Sequence, residues 1–256
     1  MSTDSQRRID RRIFALALPA VGALAADPLL SLVDTAFVAG LGAPALGALG
    51  VTTALFGFAF VVFNFLAYAT TPLVARAMGR GDEDGARQVV GRALFLATIL
   101  GIVSSGLLIA LAEPLVRLMQ AGPDVIDPAV SYLRVRAVAA PAVLIVMAGH
   151  GAFRGLQDTR TPLVIALFAN GVNLVLDPLL IYAVGWGVVG AAVASAIAQY
   201  VAAAWLLLRL GKRLGHIHAG PGRLGHLRPL LATGGILTLR TLLLVLTMAL
   251  GTAAAA

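Results

Sequence analysis

The 256-residue chain is 59% hydrophobic and 12% charged, with a mean hydropathy of +0.93, a composition that excludes an ordinary soluble domain. Its net charge of +7 and pI near 11.0 do not signal a nucleic-acid partner, because the basic residues sit in short breaks between apolar runs and are not interleaved with exposed aromatics. With no cysteine in the sequence, disulfides, thiolate metal centres and cysteine nucleophiles are excluded.

Apolar runs long enough to cross a bilayer, roughly 20 residues each, are predicted at about 13–40, 46–75, 93–116, 128–150, 162–183, 187–208 and 230–253. Continuous runs rich in Gly and Ala point to helices, since barrel strands would be short and would alternate apolar with polar residues. The expected fold class is therefore an all-α integral membrane protein, a polytopic helix bundle. The N-terminal "RRIDRRIFALALPAVGALAAD" resembles a signal peptide, but its apolar region continues past a normal h-region and reads as an uncleaved first helix. Within that helix Asp27, Ser31 and Asp34 are spaced i, i+4, i+7 and make one polar stripe. Pro19 and Pro28 interrupt its backbone ladder, which makes Pro19 a candidate hinge.

Asn64, Tyr68 and Thr71 repeat the i, i+4, i+7 spacing on the second run and are candidate cavity residues. The next break, "RAMGRGDEDGARQVVGR", reads as a cytoplasmic amphipathic connector whose Asp82, Glu83 and Asp84 are solvated rather than catalytic. Tyr132 falls near the outer end of the fourth run, and His150 reads as a hydrogen-bonded histidine at a helix end in preference to a proton relay. On the fifth run Asn170, Asn173 and Asp177, spaced i, i+3, i+7, form a second carboxylate-bearing stripe. Ser195 and Gln199 follow on the sixth; Gly187, Ala191 and Ser195 also fit small-xxx-small packing, so binding and packing roles both stay open for Ser195. His216, His218 and His226 lie in a Gly- and Pro-containing basic break without carboxylates, which favours a solvated linker over a metal site.

A carboxylate at the centre of a membrane helix costs about 2.5–3.5 kcal/mol to insert, so it must be buried in protein, protonated or lined by water. Asp34 and Asp177 fall at similar depth on outward-running helices. If their stripes face each other they enclose a carboxylate-rich pocket, with neutral oxygens from Asn170 and Asn173, suited to a hard cation or a proton. Desolvation and like-charge repulsion both favour the protonated form of one carboxyl, which can then couple proton entry to a change of shape. The alternative is an Asp bonded to Asn and Ser only to hold helices together. No metal is expected beyond Na+ at Asp34, Asn173 and Asp177, and no cofactor. Fifteen of the nineteen Lys and Arg fall on one side of the predicted spans; Arg117, Arg134 and Arg136 fall on the other, and Arg240 lies inside the seventh. The positive-inside rule then puts the N-terminus in the cytoplasm of a plasma or inner membrane.

Four segments, "LALPAVGALAADPLLSLVDTAFVAGLG", "GRGDEDGARQVVGRAL", "FRGLQDTRTPL" and "NLVLDPLLIYAVGWGVVGAAVASAIAQY", together resemble the multidrug and toxic compound extrusion family, in its prokaryotic DinF-type branch. The resemblance covers nearly the whole chain. It implies a secondary antiporter, not an enzyme, that exports amphipathic, often cationic, small molecules in exchange for H+ or Na+. Carried over by residue, it implies ion-binding roles for Asp34, Asn173, Asp177 and Ser195, a cavity role for Tyr132 and a bending role for Pro19. Ser195 stands where threonine is common, and His150 where asparagine is common. The family pattern is two six-helix lobes that rock against each other. Here the expected division is a cytoplasmic segment over 1–12, one lobe over 13–209, a linker over 210–229 and the first helix of an incomplete second lobe over 230–256. The chain so reads as a truncated transporter, with the small-molecule substrate and the bilayer as partners and a missing lobe or another chain needed for transport.

Other readings fare less well. A lipid-linked oligosaccharide flippase of a related two-lobe fold needs several cavity cations for a pyrophosphate, and the first six spans offer few. An inactive truncated membrane protein stays open. A seven-helix photoreceptor needs a membrane lysine, whereas Lys212 lies in a loop, and an intramembrane hydrolase has neither GxSxG nor HExxH.

Overall fold

The computed structural model describes residues 31–217 and the single positions 17, 21, 220 and 235. Pro19, Asp27, Pro28, Arg240, His218, His226 and most of the first predicted span and of the 230–253 run lie outside the described residues. Within them the chain is all helical. α1 occupies residues 31–39. It is followed by α2 (Ala43–Val61), a 3-10 turn (Val62–Asn64), α3 (Phe65–Gly79), α4 (Glu83–Ala110) and α5 (Ala112–Leu118). α6 (Pro123–Ala137), α7 (Ala140–Gly155), α8 (Arg160–Pro178), a π-helical turn (Leu179–Ala183) and α9 (Gly187–Leu214) complete it.

Four helical runs are long and apolar enough to span a membrane, Ala43–Gly79, Glu83–Ala110, Arg160–Ala183 and Gly187–Leu214. α6 and α7 are long and apolar enough only when taken together, and they meet at an angle of 52°. The bend has a local cause. Pro141 at the start of α7 has no N–H for the carbonyl of the preceding turn, and the Tyr200 hydroxyl of α9 donates to the Val138 carbonyl at the break, at 2.8 Å. The span expected at 128–150 is therefore made of two helices.

The predicted connector after the second span is mostly helix. Asp82 caps α4 by accepting the Gly85 N–H at 2.7 Å, and Asp84 and Glu83 hold Arg87 at 2.7 and 3.5 Å. Carboxylates in the first turn complement the helix dipole, so this acidic triplet starts a span. The third predicted span, 93–116, accordingly begins ten residues earlier, at Glu83, and breaks at Leu111 before α5.

α7 packs against both α3 and α4, which also meet each other, while α9 packs against α6, α7 and α8. The interfaces are built from small side chains: Ala86, Val90, Ala93, Leu94 and Ala97 form one buried stripe of α4, which meets Leu144, Ala148 and Ala152 of α7 in one core cluster. In lipid the tails are as apolar as the helices, so close van der Waals packing of small residues supplies the association. Thr71 adds an interhelical hydrogen bond to the Gly151 carbonyl at 3.0 Å while also bonding Ala67 O in its own helix. Large apolar residues such as Phe58, Val175 and Leu208 face outward, a surface suited to lipid and not to water.

Candidate functional site

A second cluster, Val38, Leu49, Tyr132, Ile181, Ala191 and Ala192, ties α1, α2, α6, the π turn and α9 together. It sets the position of the carboxylates. Pro178 ends the regular ladder of α8, and the wider turn that follows carries Tyr182 to α1, where its hydroxyl donates to the Phe37 carbonyl. Gly40 permits that approach, since a Cβ there would lie 2.5 Å from the Tyr182 hydroxyl oxygen. On the other side Gly190 lets α9 rest on the π turn, where a Cβ would lie 2.7 Å from the backbone C and O of Leu180. π turns of this kind recur at functional sites because they shift the register of the side chains beyond them.

The result brings the two polar stripes face to face. The carboxyl groups of Asp34 and Asp177 face each other within interacting distance. Asn173 donates its amide Nδ2–H to Asp177 Oδ1 at 3.0 Å, and Asp177 is fully buried. Asp34 Oδ1 and Asp177 Oδ2 find no nitrogen or hydroxyl donor among the described residues. Two ionised carboxylates cannot bond each other, whereas a single proton placed between them would satisfy both orphaned oxygens. The amide of Asn173 thus turns its nitrogen toward Asp177.

Asp34 opens onto a cavity of about 460 Å³ that Tyr132, Asn170, Asn173, Ser195 and Gln199 also line. This volume is within the usual range for small-molecule sites. Asn64 and Tyr68 are not among its lining residues. The 3-10 turn breaks the stripe at Asn64, Tyr68 is 47% exposed on the outside of α3, and Thr71 is spent on the α3–α7 contact. His150 lies within α7 and its Nε2 has no hydrogen-bond partner among the described residues, which departs from the satisfied helix-end histidine expected. Among the described residues no group of three or more His, Cys, Asp or Glu is placed to hold a metal ion.

One cavity residue escaped the sequence reading. Arg136, counted there with the outer basic residues, lines the cavity beside Asp34. Its guanidinium carbon sits 5.4 Å from the ring centroid of Phe56, and the Tyr132 hydroxyl adjoins it. The spacing of Tyr132 and Arg136, i and i+4, was the available signal, because it puts both on one face of α6. Arg134 instead lies on the exposed surface, and Arg117 pairs with Glu113 at 2.8 Å.

The family profile MatE matches residues 19–179. Over 262 residues the chain is 37% identical to Protein DETOXIFICATION 44, chloroplastic, of Arabidopsis thaliana, covering 97% of this chain and 50% of that protein. It is 32% identical to DNA damage-inducible protein F of Escherichia coli, over 93% of this chain and 53% of that one. A solved structure described as the outward-facing conformation of a multidrug resistance MATE family transporter of the MOP superfamily superimposes with a TM-score of 0.83 at 29% identity, covering 93% of this chain and 54% of that chain. The chain spans about half the length of the curated relatives it matches. With the paired membrane carboxyls, the half-bundle architecture and these matches in agreement, the chain belongs to the multidrug and toxic compound extrusion family, a family of multi-pass membrane transporters and not of enzymes.

Proposed function

We propose that this chain supplies the ion-coupling lobe of a secondary antiporter that exports amphipathic small molecules in exchange for a cation, and that the Asp34–Asp177 pair carries that cation. The carrying observation is the carboxyl–carboxyl contact with its two otherwise donorless oxygens. It favours a proton over Na+: a hard metal ion needs several converging oxygens, whereas Asn173 offers Asp177 an amide N–H and the Arg136 guanidinium lies nearby. The similar structure named as a multidrug resistance transporter supports export of small molecules. A second lobe, from further sequence or another chain, completes the alternating access that repeat-built transporters use. The basic-residue bias supports an inner or plasma membrane with a cytoplasmic N-terminus.

A flippase for a pyrophosphate-linked lipid is less well supported, because Arg136 is the one Lys or Arg among the residues lining the described cavity. The coupling site is testable in the 256-residue chain as it stands. Infrared difference spectra of the chain in nanodiscs during a pH jump should show a buried protonated-carboxyl band that is absent in both Asp34→Asn and Asp177→Asn and unmoved when Na+ replaces choline. A band that survives in both variants would remove the proposed carrier; a band displaced by Na+ would make sodium the coupling ion.

A further inference from the structure

We infer that an apolar groove between α6 and α9, on the side of α9 turned away from the cavity, binds a single acyl chain of a bilayer lipid. The inference goes beyond the export reading and needs only that the helices span a membrane.

The groove encloses about 540 Å³ and is lined by Val135 and Val138, where α6 ends, and by six residues of α9 between Val193 and Ala204. Those six follow the helical repeat and make one stripe. The residues by which α9 lines the cavity, Ser195, Ala198 and Gln199, lie about half a turn away on the opposite face. A partner that completes the cavity therefore does not reach the groove. Val138, Ile197 and Tyr200 are left 49%, 40% and 45% exposed, and the stripe sits well inside both ends of a 28-residue span. At that depth the surrounding medium is hydrocarbon.

The lining also fixes the chemistry of the occupant. Its one polar side chain, Tyr200, spends its hydroxyl proton on the Val138 carbonyl at 2.8 Å, at the break between α6 and α7. No free donor is left on the side chains there for a headgroup or for a sterol hydroxyl. From Val193 to Ala204 the helix rises by about 16 Å, close to one leaflet of a hydrocarbon core about 30 Å thick. One chain lying along the stripe touches walls on both sides, where an open helix face offers contact on one side only. An empty groove forfeits those dispersion contacts, and the smallest side chains of the stripe, Ala196 and Ala204, leave the room for the chain. The bound chain backs the helix whose other face holds Ser195 and Gln199.

Photolabelling of the wild-type 256-residue chain tests this, in phosphatidylcholine nanodiscs that contain a trace of phosphatidylcholine with a mid-chain diazirine. Adducts mapped by peptide mass spectrometry should be about fivefold more abundant on residues 193–204 than at Ile102 and Val175, which are 56% and 66% exposed on other helices. Ala196→Phe and Ala204→Phe, each filling the groove, should bring that ratio down to about one, with labelling at Ile102 and Val175 unchanged as the sign that the fold persists. Equal labelling of groove and open faces in the wild type would make the groove ordinary lipid-facing surface and overturn the inference. Labelling at Ile102 and Val175 with none in the groove would mean that protein, such as a second copy of the chain, covers it. A diazirine-bearing sterol with a larger groove excess than the phospholipid would replace the acyl chain with a sterol. A ratio that stays high in both variants would place the adducts outside the groove.

Discussion

Gly190→Ala tests how the carboxyl pair is positioned. The added Cβ would meet the Leu180 carbonyl carbon and oxygen at 2.7 Å, whereas carbon contacts are favourable at about 3.5 Å. The helix must therefore retreat by about 0.8 Å, or the π turn must yield by the same amount. Neither is a flexible side chain, and overpacking of this kind costs about 1–3 kcal/mol. Gly211 lies on the same helix with nothing within 4 Å of its Cβ position, so Gly211→Ala should gain up to about 1 kcal/mol of helix propensity. Differential scanning fluorimetry in one detergent should show Gly190→Ala lowered and Gly211→Ala unchanged or raised. Because the turn begins two residues after Asp177, Gly190→Ala should also alter the protonated-carboxyl band. Identical melting for both variants, with the band unchanged, would refute the claim that close packing of α9 on the turn places Asp177.

Asp177→Asn should reduce the protons taken up per chain by one when the pH of an unbuffered sample is stepped down, with insertion and helicity intact; unchanged uptake would count against the shared proton. Thr71→Val removes the bond to the Gly151 carbonyl and should cost about 0.6 kcal/mol, typical of such bonds in lipid, with Thr71→Ser close to wild type in the same unfolding titration. Tyr182→Phe deletes the bond to Phe37 and should increase proteolytic cleavage or hydrogen exchange in α1 around residues 35–40; unchanged protection there would mean the apolar cluster alone holds the helix.

Much of the membrane architecture was legible in the residue order, for a local reason. Each span needs a length of apolar chain, and that length is counted along the sequence, so four of the predicted runs coincide closely with long helices or a bent helix pair. The stripes of Asp34 and of Asn170, Asn173 and Asp177 were legible for a similar reason: helical periodicity alone puts such residues on one face. Where periodicity failed, as at Asn64 and Tyr68, a 3-10 turn intervened that no residue in "VVFNF" announces.

What the sequence determined by itself was the class of protein, the approximate spans and which side chains share a helix face, because these depend on burial length and on neighbours within about two turns. The tertiary structure alone decided which faces meet. That Asp34 faces Asp177, that Arg136 turns into a cavity and Tyr68 away from one, and that α6 and α7 bend at Val138 all depend on the rotation of each helix against partners far along the chain, held by Tyr182, Tyr200 and Gly190. Small-residue packing in lipid tolerates many such rotations locally, and only the assembled set of contacts selects one.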